Sequence, residues 1–342
     1  MPPIPRPKPA NGHVAPLPGT EVFDLRSKME RLAREESECT TSLSLDELVK
    51  IRMETVADAT ALSEGPDAQV ERADTLREEW GVEYGQLWYI PSNNAPGESH
   101  RILCGDSRVI EDLGTLMDGA SATLVFTDPP YGVAIGAKNR MLNSFQKAGR
   151  NLSNIVDDEM EPDDLKVLLT KAFTNLKSFM SEDCSVLVTV PQGGELGMMM
   201  LQMMSDVGLP VRHTLIWRKN APTFSMGRLD YDYQHEPIFF TWGKTHKKRQ
   251  LGPHRTSVWH VDKPRASPDH PTMKPVELPA NGILNHTDLK DHVLDIYCGT
   301  GPTIVAAEMT GRIGHGMEIE PKYVAVCLQR LKDMGLQPYK AE

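Results

Sequence analysis

Cysteine is scarce and unpatterned in this chain. Its five residues (Cys39, Cys104, Cys184, Cys298 and Cys327) are scattered through 342 positions, odd in number and without a Cys-x-x-Cys pair. That argues against a disulfide framework and a paired-thiol zinc site, and for a reducing cytoplasm. Long apolar runs are missing too: none approaches the roughly 18 residues of a membrane span. The N-terminal stretch Met1-Pro-Pro-Ile-Pro-Arg-Pro-Lys-Pro has no apolar core of a signal peptide. The expectation is a cytoplasmic protein with no membrane partner and, for want of a ligand cluster, no metal. A hydrophobic fraction of 39% and a charged fraction of 25% are ordinary for a globular chain. The length allows one large core, or one core with a small appendage.

Net charge is −10, but it is unevenly spread. Residues 1–100 hold 18 acidic and 10 basic side chains, whereas residues 212–265 hold 11 basic and 4 acidic. A basic segment inside an acidic chain points to a polyanionic partner better than the net value does. Lys219, Lys244, Lys247, Lys248, Arg249 and Arg255 are the candidate contacts, densest in 243–265.

Residues 1–20 are Pro-rich and aperiodic, and are expected to form a disordered tail. Residues 21–75 carry helical spacing and heavy charge, expected as a helical N-terminal extension. The main domain is expected over 76–342. Within it Asp163 should cap a helix running to about Met180, and Ser185–Val190 should be a strand. Gly193–Val207 reads as a helix whose methionines (198, 199, 200, 203 and 204) fill core space.

Two stretches carry the chemistry. The apolar run Ala122–Phe126 reads as a buried strand and leads into Thr127-Asp128-Pro129-Pro130-Tyr131-Gly132. Two prolines cannot extend the ladder, so a carboxylate and an aromatic ring are held where the chain leaves the sheet. Open α/β sheets bind ligands at that end of their strands. Later, the strand Val293–Tyr297 runs into Cys298-Gly299-Thr300-Gly301, and a second strand ends in Glu318, 17 residues after Gly301. Glycines permit close backbone approach to a ligand, and an acid at about that distance can accept hydrogen bonds from a ribose diol.

Asp128-Pro129-Pro130-Tyr131 resembles the signature of the S-adenosylmethionine-dependent amino-methyltransferases of DNA. Further likenesses are Trp80-Gly81 with Gly85-Gln86-Leu87-Trp88, Gly105-Asp106-Ser107, and Trp217-x-Lys219-Asn220 with Gln234-His235-Glu236-Pro237. The segment His270-Pro271-Thr272-x-Lys274-Pro275 adds another, and together they cover about 76–332.

The resemblance implies an α/β, Rossmann-like methyltransferase fold with a seven-stranded, mostly parallel sheet. The order of the motifs resembles the circularly permuted class, in which the cofactor-binding strands come last. It implies S-adenosylmethionine as cofactor, held by Asp106, Thr272, Lys274, Asp295, Tyr297, Gly299, Gly301 and Glu318. Asp128, Pro129, Pro130 and Tyr131 would be catalytic, on an amino group of a base flipped from double-stranded DNA. Family members are often dimers, so a homodimer is expected.

An initial Asp in the tetrapeptide favours adenine N6 over cytosine N4, which is the first alternative. Others are a DNA-binding relative that has lost transfer, and an enzyme acting on RNA or protein. The family usually has Asp-Pro-Phe-x-Gly-Ser-Gly-Thr-Thr at the glycine loop. Here Ile296 stands for the Pro and Tyr297 for the Phe, while Pro302 replaces the first Thr and removes one N–H donor facing the cofactor.

Overall fold

The structure, a computed structural model, describes residues 65–131, 161–223, 230–247, 256–262 and 274–341. The tail and nearly all of the expected N-terminal helical extension lie outside these. Residues from 65 onward already belong to the main body: Ala68, Val70, Ala73 and Leu76 are buried in its core.

Among the described residues ten strands form one sheet. In chain order they are β1 (Leu87–Pro91), β2 (Ser99–Cys104), β3 (Ala122–Thr127), β4 (Met180–Thr189) and β5 (His213–Thr223). There follow β6 (Tyr233–Trp242), β7 (Val258–His260), β8 (His292–Asp295), β9 (Ile313–Glu318) and β10 (Tyr339–Lys340). Their spatial order is β10-β1-β2-β9-β8-β3-β4-β6-β5-β7. The five central strands from β2 to β4 are parallel, whereas β1 and β10 on one side and β6 on the other pair antiparallel to their neighbours. The sheet is therefore mixed and wider than the expected seven strands. The additions lie at the edges, where β7 and β10 have three and two residues, too short for alternation to register.

Among the described residues seven α-helices cover the sheet: α1 (Ala73–Trp80), α2 (Ile110–Met117), α3 (Pro162–Lys177), α4 (Gly194–Asp206), α5 (Glu277–His286), α6 (Pro302–Met309) and α7 (Pro321–Asp333). Residues of α1, α5, α6 and α7 pack into one core and those of α2, α3 and α4 into another. Period-two alternation in β3 feeds both: Leu124 and Phe126 join the first core, Val125 the second. The result is three layers with a sheet buried on both faces, as parallel strands require.

Local details differ from the sequence reading in two places. The start of α3 has Pro162 in its first turn and Glu161 as the preceding residue, so Asp163 sits inside the first turn. There its charge suits the positive end of the helix dipole without capping. In α4, Met200, Met203 and Met204 are buried but Met198 is 67% exposed, because a turn of 3.6 residues cannot point all five methionines inward.

One topological fact places the site. The strand β8 is followed by α6 on one face, while its neighbour β3 is followed by α3 on the other. Helices leaving in opposite directions open a crevice at the carboxyl ends of these two strands. Asp128 follows β3 directly, and the glycine loop follows β8.

Candidate active site

One half of the crevice is built by the ends of β2, β8 and β9. A cavity there is lined by Gly105, Asp106, Ser107, Arg108, Tyr297 and Glu318, with Leu168 of α3 and two isoleucines. Glu318 accepts the Gly299 and Glu320 backbone N–H groups, each at 2.8 Å. Burial pushes its carboxyl up to about 7 against those two bonds. A carboxylate has about four acceptor sites, so two remain for a ligand. Asp106 accepts the backbone N–H of Arg108 at 2.8 Å, an Asx-turn, and its guanidinium at 2.8 Å. Burial works against its charge, but these bonds hold its carboxyl below the usual range.

The glycines of the loop differ in purpose. Gly299 has φ +52° and a Cβ there would meet nothing within 4 Å, so its conformation is what matters. Gly301 has φ +78° and packs so that a Cβ would collide with Cys327 Sγ of α7. Pro302 occupies the first turn of α6, where its missing N–H breaks no intrahelical bond.

This cavity suits S-adenosylmethionine by the chemistry of its lining. The cofactor carries two cations and one carboxylate besides a ribose diol. The lining offers two acids, one guanidinium, an aromatic ring and the spare acceptors of Glu318.

The other half of the crevice surrounds Asp128. Its Oδ1 accepts the hydroxyls of Tyr131, at 2.9 Å, and of Thr189 at the end of β4. Its Oδ2 meets the Lys274 ammonium at 3.1 Å. Three donors leave one acceptor site, and with the side chain 32% exposed a ligand can reach it. Lys274 also binds Glu236 Oε2 at 2.9 Å, and Glu236 in turn pairs with Lys219. Burial opposes the charge of Glu236, but the two ammoniums outweigh it and bring its carboxyl down to about 2. Burial likewise opposes the charge of Lys274, yet Asp128, Tyr131 and Glu236 raise it well above the ordinary lysine value. Trp217, its indole N–H on the Val261 carbonyl at 2.8 Å, forms the wall beneath both lysines.

Three of the expected contact residues are engaged by protein groups. Lys274, expected on the cofactor, is engaged by Asp128 and Glu236 and does not line the cavity. Lys219, expected on DNA, is 4% exposed and paired with Glu236, since β5 turns it inward over Trp217. Asp295, also expected on the cofactor, is buried and accepts Thr127 Oγ1 at 2.8 Å, Thr303 Oγ1 at 2.6 Å and the Tyr297 N–H at 3.1 Å. It straps β8 to β3 and α6, and burial pushes its carboxyl up to about 6.

Lys244 and Lys247 are exposed, Lys244 beside Glu182. Thr272, Lys248, Arg249 and Arg255 lie outside the described residues. Sequence reasoning gave no role to Thr189, Arg108 or Glu236. Glu236 stood within a quoted motif, and Thr189 could have been found as the end of the strand beside β3.

Among the described residues no group of three or more His, Cys, Asp or Glu could hold a metal. No helix among them is long and apolar enough to cross a membrane.

Comparison with known proteins identifies the family. A family model described as DNA methylase matches residues 122–329. The type II methyltransferase M.HinfI of Haemophilus influenzae is 28% identical over 269 residues, 70% of each chain. The type II methyltransferase M.Cfr9I of Citrobacter freundii is 26% identical over 140 residues, 38% of this chain and 47% of that protein. The solved structure of the cytosine-N4-specific PvuII DNA methyltransferase shares the fold, with a TM-score of 0.51 and 17% identity over 70% of this chain and 88% of that one. With the family model spanning both the Asp128 tetrapeptide and the glycine loop, the chain belongs to the DNA methylase family, the S-adenosylmethionine-dependent methyltransferases of adenine N6 and cytosine N4.

Proposed function

We propose that this protein is a site-specific methyltransferase that transfers a methyl group from S-adenosylmethionine to the N6 amino group of adenine in double-stranded DNA. The observation that carries the reading is the Asp128 carboxylate at the end of β3, one acceptor site open, beside a cavity suited to the cofactor. The initial Asp of the tetrapeptide supports adenine over cytosine.

The amino nitrogen of adenine is a poor nucleophile because its lone pair is delocalised into the ring. Asp128 accepts one of its N–H bonds and the Pro129 carbonyl the other, turning the nitrogen toward tetrahedral geometry. Pro130 stiffens the turn, and the ring of Tyr131 offers a face on which the base stacks. The bound cofactor supplies an electrophilic methyl group on a sulfonium. Proximity and alignment then lower the barrier. A base engaged in this way has left the duplex stack. Asp106, Tyr297, Gly299 and Glu318 hold the cofactor in this reading, with Gly301 fixing the loop and Thr272 retained from the resemblance. The exposed Lys244 and Lys247, with Lys248, Arg249 and Arg255, meet backbone phosphates. A homodimer belongs to the same reading on the family resemblance.

Mass spectrometry of nucleosides from duplex DNA incubated with the protein and methyl-labelled S-adenosylmethionine tests this. Labelled N6-methyladenine is the expected product. N4-methylcytosine would keep the chemistry and change the base; no label in any base would overturn the reading.

The Glu318 assignment carries a pH dependence. Ribose hydroxyls donate best to the ionised carboxylate, and burial holds the free carboxyl at about 7. Below that value protons compete with the cofactor, so affinity should rise with pH, by up to about tenfold per unit on the acid side. Calorimetry in buffers of different ionisation heat should show proton release on binding at pH 6.5. Glu318→Gln should bind more weakly and without the pH dependence. A wild-type affinity that is flat between pH 6 and 8 would remove Glu318 from the ribose.

A further inference from the structure

The ammonium of Lys274 is a group that the transfer chemistry above does not use, and its surroundings are specific. It is 11% exposed, lies 3.1 Å from Asp128 Oδ2 and 2.9 Å from Glu236 Oε2, and stands 5.6 Å from the centre of the Tyr131 ring. We propose that Lys274 is a positioning residue that locks the Asp128 carboxylate in the orientation that receives the target amino group, and that Glu236 fixes Lys274 in turn. The proposal rests on Asp128 being the acceptor.

The last torsion of an aspartate is broad and nearly two-fold, so an unrestrained carboxylate swings between orientations. Here each oxygen is held by a different element. The hydroxyls of Tyr131 and Thr189 take Oδ1, and the ammonium from the segment ahead of α5 takes Oδ2. Rotation would break bonds on both sides at once, so the remaining acceptor direction is fixed toward the crevice. The same ammonium lies near the Tyr131 ring, and a cation held there favours one ring position.

Charge is balanced across the cluster. Asp128 and Glu236 supply two negative charges, and Lys274 and Lys219 two positive ones. A buried ion pair contributes little net stability because desolvation offsets attraction. The role that fits the geometry is orientation.

The test uses the full-length protein, unmethylated amplified genomic DNA as duplex substrate, and labelled S-adenosylmethionine. Lys274→Met should lower kcat roughly tenfold to thirtyfold while leaving the cofactor Kd within about twofold. Lys274→Arg keeps the charge and should restore much of kcat. Glu236→Gln should give a smaller loss of the same kind. The fall in kcat at an unchanged cofactor Kd, and its recovery with arginine, is the readout.

A wild-type kcat in Lys274→Met would overturn the proposal. So would a large loss of cofactor affinity, which would return Lys274 to the cofactor. Should Lys274→Met fail to fold, Glu236→Gln decides, and an unchanged kcat there would overturn it equally. Asp128→Ala run in parallel separates the two levels. Transfer that survives in Asp128→Ala refutes the acceptor reading itself. A dead Asp128→Ala beside an unaffected Lys274→Met refutes only the positioning role.

Discussion

Asp128→Ala should lower the methyl-transfer rate by about a thousandfold while cofactor affinity stays close to wild type. The magnitude is that of removing one preorganised group that acts on the reacting centre, roughly 3–4 kcal/mol of transition-state stabilisation. Cofactor affinity should survive because Asp128 does not line the cavity beside Glu318. Folding should survive as well: Lys274 keeps Glu236, and the cluster goes from neutral to a single positive charge. Asp128→Asn should fare little better, because its amide would turn an N–H either toward the Lys274 ammonium or toward the Tyr131 and Thr189 hydroxyls. Single-turnover transfer together with equilibrium cofactor binding makes the measurement. Loss of cofactor binding in step with transfer would mean that the crevice is not divided as described.

Gly301→Ala should destabilise the protein by about 3 kcal/mol, from two separable sources. A φ of +78° is left-handed, where a side chain costs about 1–2 kcal/mol. The added methyl also meets Cys327 Sγ, and overpacking of this kind costs roughly 1–3 kcal/mol. Thermal unfolding should fall by roughly 6–12 °C for a domain of this size. Cys327→Ala in the same chain removes the clash but not the backbone strain, so the double variant should recover part of the loss and no more. Equal stability of Gly301→Ala and wild type would show that the loop can shift away from α7. In contrast, Gly299→Ala should cost only the backbone term, since its Cβ would meet nothing within 4 Å.

Much of the site was legible because its signals are local. A buried strand running into Asp128-Pro129-Pro130 states its own end, since prolines cannot continue the ladder. The glycine loop and Glu318 are likewise bound by short-range geometry, and the structure brings Glu318 onto the Gly299 N–H at 2.8 Å. What failed to show were partners chosen across the sheet. Nothing in the neighbourhood of Lys274 in sequence says that its ammonium meets a carboxylate 146 positions earlier. Asp295 reads like a loop acid beside glycines, and only the packing of β3 and α6 against β8 turns it into a strap.

By itself the sequence determined the elements and the chemistry available: a parallel α/β core, a permuted order with the glycine loop last, and a carboxylate held by prolines at a strand end. The elements and the held carboxylate follow from periodicity and backbone restriction, which act over a few residues; the parallel core and the permuted order follow from the family resemblance of the motifs. The tertiary structure alone decided the width of the sheet, the inward turn of Lys219, and the pairing of Asp128 with Lys274 and Glu236. Charge partners in a buried crevice are set by which strand ends meet there, and that is a property of the whole sheet.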